Sequence, residues 1–301
     1  MKLLVTGAWS DAKSHIGDLE AMGHTVVFMQ QEQGELPCAA EEIEGVICNG
    51  LFLHHSIDDF KALRYIQLTS AGYDRVPLEE IRQRKIELHN ARDVYSVPMA
   101  EFAIGSVLQL YKKFGTFRDN QKLHRWEKQR DLQELAGKTV CILGCGSVGT
   151  TCAKRFAAFD TRVLGVTAHP RELDWFEAVY GLERLDAVLA ESDIVILSLP
   201  LTAQTYHLID KERLKCMKRG ALLVNISRGA IVDTAALIDA LNCGRLSGAV
   251  LDVTEEEPLP PDSPLWNMEQ VLLTPHNSYA GEGNAQRLWQ RIRRSLSYES
   301  A

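Results

Sequence analysis

The sequence has no long hydrophobic run, no excess of positive charge and no cysteines spaced as disulfide or metal-site ligands. No stretch of its 301 residues approaches the roughly 18 consecutive apolar residues of a membrane-spanning helix, and the apolar run in residues 1–7 is too short for a signal peptide. The net charge of -7 disfavours nucleic-acid and acidic membrane partners, because phosphate groups select basic surfaces. We therefore expect a cytoplasmic protein that binds neither nucleic acid nor membranes.

The cysteine count bears on the cellular compartment and on metal sites, and the chain length bears on the number of domains. The seven cysteines are odd in number and lie mostly inside apolar runs, which favours a reducing compartment and no metal centre. Hydrophobic residues at 46% and charged residues at 24% are ordinary for a globular protein. The chain is longer than the size at which one hydrophobic core stops growing, so we expect two domains.

From residue 137 onward, strand-like apolar runs alternate with helical segments. The runs lack apolar–polar alternation, as strands buried on both faces of a parallel sheet require. They cover residues 139–143, 162–166, 193–199, 221–226, 248–253 and 271–274. Six such strands predict an α/β fold of the Rossmann type, a doubly wound parallel sheet that binds a dinucleotide.

The N-terminal part of the chain repeats this pattern more loosely and predicts a second, smaller α/β unit. Its candidate strands are residues 3–6, 25–28, 45–48, 65–68 and 86–89. Residues 97–111 carry apolar side chains at helical spacing behind Pro98, and we interpret this helix as the start of the second domain. A last helical segment, residues 284–297, follows the final strand and could cross back to the first domain.

Three glycines follow the first strand of the second domain, in the stretch CILGCGSVG. In a strand-turn-helix the first glycine (Gly144) permits a tight turn and the second (Gly146) lets backbone amides approach a pyrophosphate. The third (Gly149) lets the helix pack closely on the strand. The helical continuation over residues 150–159 provides the context that this motif requires. The turn therefore predicts a bound dinucleotide.

The next strand lacks the acidic residue that usually binds the ribose 2′-hydroxyl of NAD about 20 residues after such a turn. Thr167, His169 and Arg171 stand there instead, and an arginine suits the 2′-phosphate of NADP. Glu172 or Asp174, further along the chain, could still accept a hydrogen bond from the ribose 2′-hydroxyl of NAD. We favour NADP over NAD as the cofactor.

Three polar residues lie at the ends of late strands: Arg228, Glu257 and His276. Each has an ordinary structural explanation when taken alone. Arg228 could form a surface ion pair, Glu257 could lie in a solvated loop, and His276 could be a hydrogen-bonded histidine at a strand end. Together they match the reduction of a 2-keto acid, in which a cation grips the carboxylate and an acid protonates the carbonyl oxygen as hydride arrives. A neighbouring carboxylate keeps that acid charged, although spacing alone does not choose among the three consecutive glutamates.

These residues lie in motifs that recur in one protein family. The motifs are residues 69–74 (TSAGYD), 100–102 (AEF), 135–140 (LAGKTV) with the glycine turn, 199–202 (LPLT) through Thr205, 225–229 (NISRG), 251–258 (LDVTEEEP) and 274–276 (TPH). With them the chain resembles the D-isomer-specific 2-hydroxyacid dehydrogenases. The resemblance implies a discontinuous flavodoxin-like substrate domain (residues 1–96 with 278–301), a dinucleotide-binding domain (residues 97–277) and a homodimer.

The resemblance also implies a role for each matching residue. Arg228 would bind the substrate carboxylate, His276 would be the general acid and base, and Glu257 would be its carboxylate partner. The backbone amides of Ala71 and Gly72 would bind substrate, and Asp252 would hold the nicotinamide carboxamide. The full set expected to bind the cofactor is Gly144, Gly146, Ser147, Val148, Gly149, Thr167, His169, Arg171, Leu199, Pro200, Thr205, Ile226 and Asp252.

Two departures from the family pattern leave the substrate open. Residues 277–280 (NSYA) replace the small apolar residue and glycine that often follow the histidine, and Arg75 and Pro77 replace an apolar–acid pair. One alternative is a dinucleotide-sensing protein similar to a corepressor, since a fold does not fix a function. Another is formate oxidation, but the formate enzymes of this family carry an amide at the position of Glu257.

Overall fold

The computed structural model describes residues 1–298, which form two compact α/β units. Among these residues, the first unit contains Met1–Tyr95 and 281–298, and the second is Ser96–Ala280. The sequence predicts divisions after residues 96 and 277, one residue later and three residues earlier than these. The predicted fold class is confirmed, whereas the assignment of substrate and cofactor to the two units stays a prediction.

The secondary-structure elements are numbered here in chain order. The strands are β1 Lys2–Thr6, β2 Thr25–Met29, β3 Gly45–Cys48, β4 Tyr65–Leu68, β5 Glu87–His89, β6 Thr139–Leu143, β7 Arg162–Val166, β8 Ala178–Tyr180, β9 Ile194–Leu197, β10 Ala221–Asn225, β11 Leu246–Leu251 and β12 Val271–Leu273. The α-helices are α1 Ile16–Ala21, α2 Leu78–Gln83, α3 Ser96–Tyr111, α4 Phe114–Lys122, α5 Ser147–Ala157, α6 Leu185–Glu191, α7 Lys211–Cys216, α8 Thr234–Asn242 and α9 Asn284–Tyr298.

The first unit is built on a parallel sheet with strand order β2-β1-β3-β4-β5, the order of flavodoxin-like folds. Strands β3 and β4 are buried along their whole length, which explains their continuous apolar sequences. Successive side chains along each strand point to opposite faces of the sheet, and each face packs into its own hydrophobic core. One face packs against Leu288, Ile292 and Leu296 of α9, and the other contains Phe60 and Ile81.

Helix α9 belongs to this first unit and is fixed to it by buried polar contacts. The hydroxyl of Ser295 lies 2.6 Å from the Tyr65 hydroxyl and donates to Gln67 Oε1 at 2.8 Å. Arg287 and Arg291 donate to backbone carbonyls at Val94 and Asn90. The C-terminal helix therefore returns to the N-terminal sheet.

The second unit contains a parallel sheet with strand order β12-β11-β10-β9-β6-β7-β8. The order reverses between β6 and β9, and open α/β sheets bind ligands at the carboxyl ends of their strands at such a reversal. Helices α6, α7 and α8 cover one face, and α3 and α5 cover the other. This is the doubly wound arrangement that the sequence predicted.

The prediction of six strands for this sheet was wrong by one, because β8 forms a seventh at the edge. Only three residues long and half-buried, β8 lacks the long apolar run that identifies a buried strand. The helix predicted at residues 97–111 begins one residue earlier, at Ser96. Across residues 1–298, none of the helices is long and apolar enough to cross a membrane.

Candidate active site

The glycine turn joins β6 to α5, and two of its glycines are required by close packing. Gly144 has a φ of +94°, and a Cβ there would lie 2.8 Å from the backbone nitrogen of Leu199. A Cβ on Gly149 would lie 2.0 Å from the carbonyl oxygen of Gly144. Both contacts are with backbone, so neither position accepts a side chain without a shift of the chain.

The middle glycine of the turn faces open space instead. No heavy atom lies within 4 Å of a Cβ built on Gly146, which is the N-cap residue of α5. Among the described residues no side chain caps this helix, and its first turn, which includes Ser147 and Val148, has no acidic residue. Amide groups at a helix N-terminus bind anions. The space and the charge therefore fit the pyrophosphate of a dinucleotide.

The polar residues expected at the adenosine end follow β7. Thr167 directly follows the strand, and its backbone N–H donates to Tyr180 O at 3.0 Å. His169 and Arg171 are exposed in the segment after it. The carboxylate that would select a ribose 2′-hydroxyl is absent from the strand end, whereas an exposed guanidinium fits a 2′-phosphate.

The ends of β9 and β10 supply further residues of the predicted cofactor set. Thr205 accepts from Thr202 N at 2.7 Å and donates to Pro200 O at 2.7 Å, which fixes the turn after β9. Leu199 and Ile226 are buried at the two strand ends. These residues shape the edge of the sheet next to the glycine turn.

Arg228 lies in a short segment that hydrogen bonds keep rigid. Its Nη1 donates to Ser227 O at 2.8 Å, and its own carbonyl accepts from Asn225 Nδ2 at 3.0 Å. A Cβ on Gly229 would lie 1.9 Å from the carbonyl carbon of Thr254. The arginine segment therefore packs directly against the start of the glutamate-containing loop.

His276 and Glu257 form a hydrogen-bonded pair. His276 Nδ1 lies 2.9 Å from Glu257 Oε2, and both side chains are partly exposed, at 41% and 40%. Glu257 Oε1 also accepts from the backbone N–H of Thr254 at 3.2 Å. An ionised carboxylate only accepts, so Nδ1 carries the proton in this pair and Nε2 is left for a reacting group.

Asp252 holds the segment that carries the histidine. Its carboxylate is 1% exposed at the residue level and accepts from Thr274 Oγ1 (2.6 Å), Asn277 N (2.8 Å) and Ser278 N (2.9 Å). The backbone N–H of His276 donates to Asp252 O at 2.7 Å. This support was not part of the sequence prediction, in which Asp252 binds the nicotinamide carboxamide; that role stays a prediction.

A second glutamate–histidine pair, missed by sequence reasoning, lies in the same loop. Glu255 Oε1 lies 2.6 Å from His207 Nε2, and its other oxygen accepts from Thr234 N at 3.3 Å. Partial burial raises the pKa of Glu255, but hydrogen bonds from Thr234 and His207 outweigh it and hold that pKa below its ordinary value. The two partners are 48 residues apart, so no local motif signals the pair.

Ala71 and Gly72 lie in the first unit, in the loop after β4, where four consecutive carbonyls accept hydrogen bonds. The donors are Tyr95 Oη to Thr69 O, Ala91 N to Ser70 O (2.8 Å), Asn90 Nδ2 to Ala71 O (2.6 Å) and Ser70 Oγ to Gly72 O (3.3 Å). Trans peptide groups are planar, so the N–H groups of Ala71 and Gly72 point away from the carbonyls that precede them. Sequence reasoning found the loop but not the residues that orient it.

No cluster of three or more histidine, cysteine, aspartate or glutamate residues that could hold a metal ion occurs within residues 1–298. The cysteines of the glycine-turn strand are buried thiols. Burial raises the pKa of Cys145 to about 12 and also raises that of Cys141. Neither thiol is ionised near neutral pH.

Comparisons with known proteins agree with this geometry. Residues 104–278 match the family model described as "D-isomer specific 2-hydroxyacid dehydrogenase, NAD binding domain". A glyoxylate reductase of Thermofilum pendens is 36% identical over 241 residues, which cover 78% of this chain and 71% of that protein. Glyoxylate/hydroxypyruvate reductase B of Yersinia pestis is 34% identical over 252 residues, covering 81% and 77%.

A solved structure extends the similarity to nearly the whole chain. The crystal structure of a D-isomer specific 2-hydroxyacid dehydrogenase from Xanthobacter autotrophicus, in complex with NADPH and MES, superposes with a TM-score of 0.82 at 30% identity. The match covers 99% of this chain and 95% of that one. These relatives are named as reductases or dehydrogenases, so they give no support to the dinucleotide-sensing alternative.

Proposed function

The chain belongs to the D-isomer-specific 2-hydroxyacid dehydrogenase family and is an NAD(P)-dependent oxidoreductase, and we propose that it reduces small 2-keto acids to D-2-hydroxy acids with NADPH as the favoured cofactor. The observation that carries the proposal is the contact between His276 and Glu257. Both residues follow strands of a parallel sheet at the edge where its glycine turn lies. Ligands of open α/β sheets bind at that edge.

The histidine supplies the proton in this proposal. In reduction, Nε2–H of the His276 imidazolium donates its proton to the carbonyl oxygen of the substrate, and in oxidation the neutral Nε2 accepts a proton from the hydroxyl. Glu257 stabilises the imidazolium through Nδ1–H and fixes the ring orientation. When bound, the nicotinamide supplies or accepts the hydride at the carbonyl carbon.

Arg228 is proposed to bind the carboxylate of the substrate and to polarise its carbonyl group. A guanidinium donates two parallel hydrogen bonds to a carboxylate, and the fixed backbone around Arg228 limits the orientations it can take. The backbone amides of Ala71 and Gly72, in the first unit, are also proposed as substrate-binding groups. An arginine that binds a carboxylate and polarises a carbonyl matches a small acid in which these two groups are adjacent.

The names of the relatives suggest which acids to test. The Thermofilum protein is named a glyoxylate reductase and the Yersinia protein a glyoxylate/hydroxypyruvate reductase. We therefore propose glyoxylate and hydroxypyruvate as the first substrates. Oxidation of NADPH, followed at the nicotinamide absorbance band with these acids, pyruvate and bulkier 2-keto acids, tests the proposal. Cofactor binding without turnover of any of them would contradict it.

The cofactor preference rests on the end of β7. Thr167 replaces the expected carboxylate and Arg171 is exposed nearby, while the Xanthobacter relative was crystallised with NADPH. Replacing Arg171 by alanine should raise the KM for NADPH by roughly 10-fold or more with little effect on NADH, since a hydrogen bond to a charged group contributes about 1.5–3 kcal/mol. Equal or better use of NADH by the unmodified protein would contradict the preference.

We also propose that the enzyme is a cytoplasmic homodimer. Three large apolar side chains of α4 and the segment after it are exposed: Phe114, Leu123 and Trp126, the last by 96%. Such exposure is unusual for residues that stay in contact with water. Analytical ultracentrifugation should find a dimer at micromolar concentration and a weaker one for Trp126→Ser; a monomeric parent protein would contradict this part of the proposal.

A further inference from the structure

Two histidines each contact a glutamate of the same short loop, and these two glutamates are separated by one residue. In residues 254–257, called the catalytic loop below, Glu255 contacts His207 at 2.6 Å and Glu257 contacts His276 at 2.9 Å. The second contact contains the proposed general acid. The first contact has no part in the chemistry proposed above.

The His207 end of the first contact is firmly attached to the second unit. The backbone N–H of His207 donates to Ala230 O at 2.8 Å, and Ile209 forms a parallel bridge with Val232. The ring of Tyr206 stacks on the imidazole with 4.1 Å between centroids. His207 is thus a fixed point to which an exposed loop can be attached.

Glu255 connects that fixed point to the start of α8. One of its oxygens contacts His207 and the other accepts from the backbone N–H of Thr234, the first residue of α8. Hydrogen bonds from Thr234 and His207 hold the pKa of Glu255 below its ordinary value, and an ionised carboxylate is a strong acceptor in both contacts. The loop is therefore held at its second residue from two sides.

The outer part of the catalytic loop is poorly buried. Residues 255–257 are exposed, and inside the loop the hydroxyl of Thr254 donates to Glu256 O at 2.7 Å while its N–H donates to Glu257 Oε1. These contacts shape the loop but do not attach its outer part to the unit. Fixing a loop residue otherwise costs about 1–2 kcal/mol of backbone entropy.

We propose that Glu255 and His207 form a positioning pair, which holds the catalytic loop so that the carboxylate of Glu257 faces its own imidazole. The inference rests on the proposed function, since it assigns a purpose to the geometry of the general acid. A displacement of about 1 Å in a reacting group can lower a rate by about 10²-fold. The pair acts through Glu257 and touches no reacting atom.

The test is a double-mutant cycle on the steady-state reduction of a 2-keto acid that the enzyme accepts. Glu255→Ala should lower kcat roughly 10-fold, with KM for the acid and Kd for NADPH within about two-fold of the parent values, because substrate binding is unchanged. In a Glu257→Gln background, Glu255→Ala should cause no further loss. Glu255→Gln should retain most of the activity, because its amide oxygen still accepts from the imidazole.

Two controls separate positioning from general damage. Glu256→Ala removes an exposed carboxylate from the same loop and should leave kcat unchanged. His207→Ala removes the other member of the pair and leaves no side-chain donor to Glu255, so it should reproduce the loss caused by Glu255→Ala. In the free protein, the NMR signal of the His276 Nδ1–H proton should shift in Glu255→Ala and stay in place in Glu256→Ala, which gives a readout independent of turnover.

The outcomes distinguish this inference from the function on which it rests. A further loss of roughly 10-fold for Glu255→Ala in the Glu257→Gln background would mean that the two glutamates act independently, and the inference would be overturned. A higher KM with unchanged kcat would also overturn it. Full activity of His276→Ala would instead refute the proposed function itself.

Discussion

At the scale of single residues, the glycine turn contains one glycine that close packing requires, Gly149, and one that faces open space, Gly146. The Cβ of an alanine at Gly149 would overlap the carbonyl of Gly144 at 2.0 Å, whereas at Gly146 it would enter open space. The backbone of Gly146 has a φ of −77°, which alanine adopts without strain. The two positions should therefore respond differently to the same substitution.

We predict that Gly149→Ala lowers the free energy of unfolding by about 1–3 kcal/mol through overpacking. Gly146→Ala should leave stability unchanged or raise it by about 0.4–1 kcal/mol. It should nevertheless weaken NADPH binding by roughly 10-fold or more, because the new methyl group keeps the pyrophosphate from the helix amides. Urea unfolding and fluorescence titration measure the two quantities. Unchanged NADPH affinity in Gly146→Ala would contradict the pyrophosphate assignment.

Single residues were predictable from the sequence where their signal is local. The glycines, Arg228 and His276 each lie in a short motif at the end of an apolar run. His207 and Asn90 carry no such signal, because their importance comes from contacts with residues 48 and 19 positions away. Spacing alone did not choose among the three consecutive glutamates, which have the same chemistry; the family resemblance pointed to Glu257, and the structure has Glu257 in contact with His276.

At the scale of elements, the buried parallel strands were the most predictable part of the fold. The ranges predicted for β6, β7, β3 and β4 coincide with those of the structure, because a strand buried on both faces is a continuous apolar run between polar residues. The edge strand β8 and the exposed helix α4 were not predicted. Short or polar elements are stabilised mainly by packing against neighbouring elements, so their local sequence gives little indication that they form.

The loop after β4 supports a prediction about how one element orients another. Asn90, after β5, donates to Ala71 O at 2.6 Å and so helps fix the orientation of the adjoining peptide group. If the amides of that loop bind the substrate carboxylate, Asn90→Ala should raise KM for the 2-keto acid by roughly 10-fold while kcat changes little, because ground state and transition state lose the same contact. Steady-state kinetics measures both constants.

A control for this substitution is Gln83→Ala, which removes an exposed amide from α2 of the same unit. It should leave both constants at their parent values. A fall in kcat at constant KM in Asn90→Ala would mean that the loop contributes to the chemical step and not to carboxylate binding.

At the scale of the whole molecule, the partly buried carboxylate of Asp193 makes the free energy of unfolding depend on pH. Asp193 accepts from Thr139 N at 2.9 Å and from Lys218 Nζ at 2.7 Å, at the amino ends of the central strands β6 and β9. Partial burial raises the pKa of Asp193, but the hydrogen bonds from Lys218 and Thr139 outweigh it and keep that pKa below its ordinary value. The ionised form is therefore favoured by folding.

We predict that Asp193→Asn lowers the free energy of unfolding by about 1–3 kcal/mol at pH 7. A depressed folded pKa contributes stability that is complete above the unfolded pKa of about 3.9 and is lost as the pH falls through the folded value. The difference between parent and variant should therefore shrink below about pH 4. Urea unfolding across this range measures it. A difference that stays constant down to about pH 2 would contradict the role of charge.

The proposed reduction depends on His276 acting as the proton donor, and the most direct test of this role is the steady-state reduction of glyoxylate by His276→Ala. Loss of a positioned general acid typically costs about 10²- to 10⁴-fold in rate. We expect a fall of that size in kcat, with NADPH affinity unchanged because the glycine turn is intact. Turnover of every accepted 2-keto acid within a few fold of the parent enzyme would contradict the role of His276 as the proton donor.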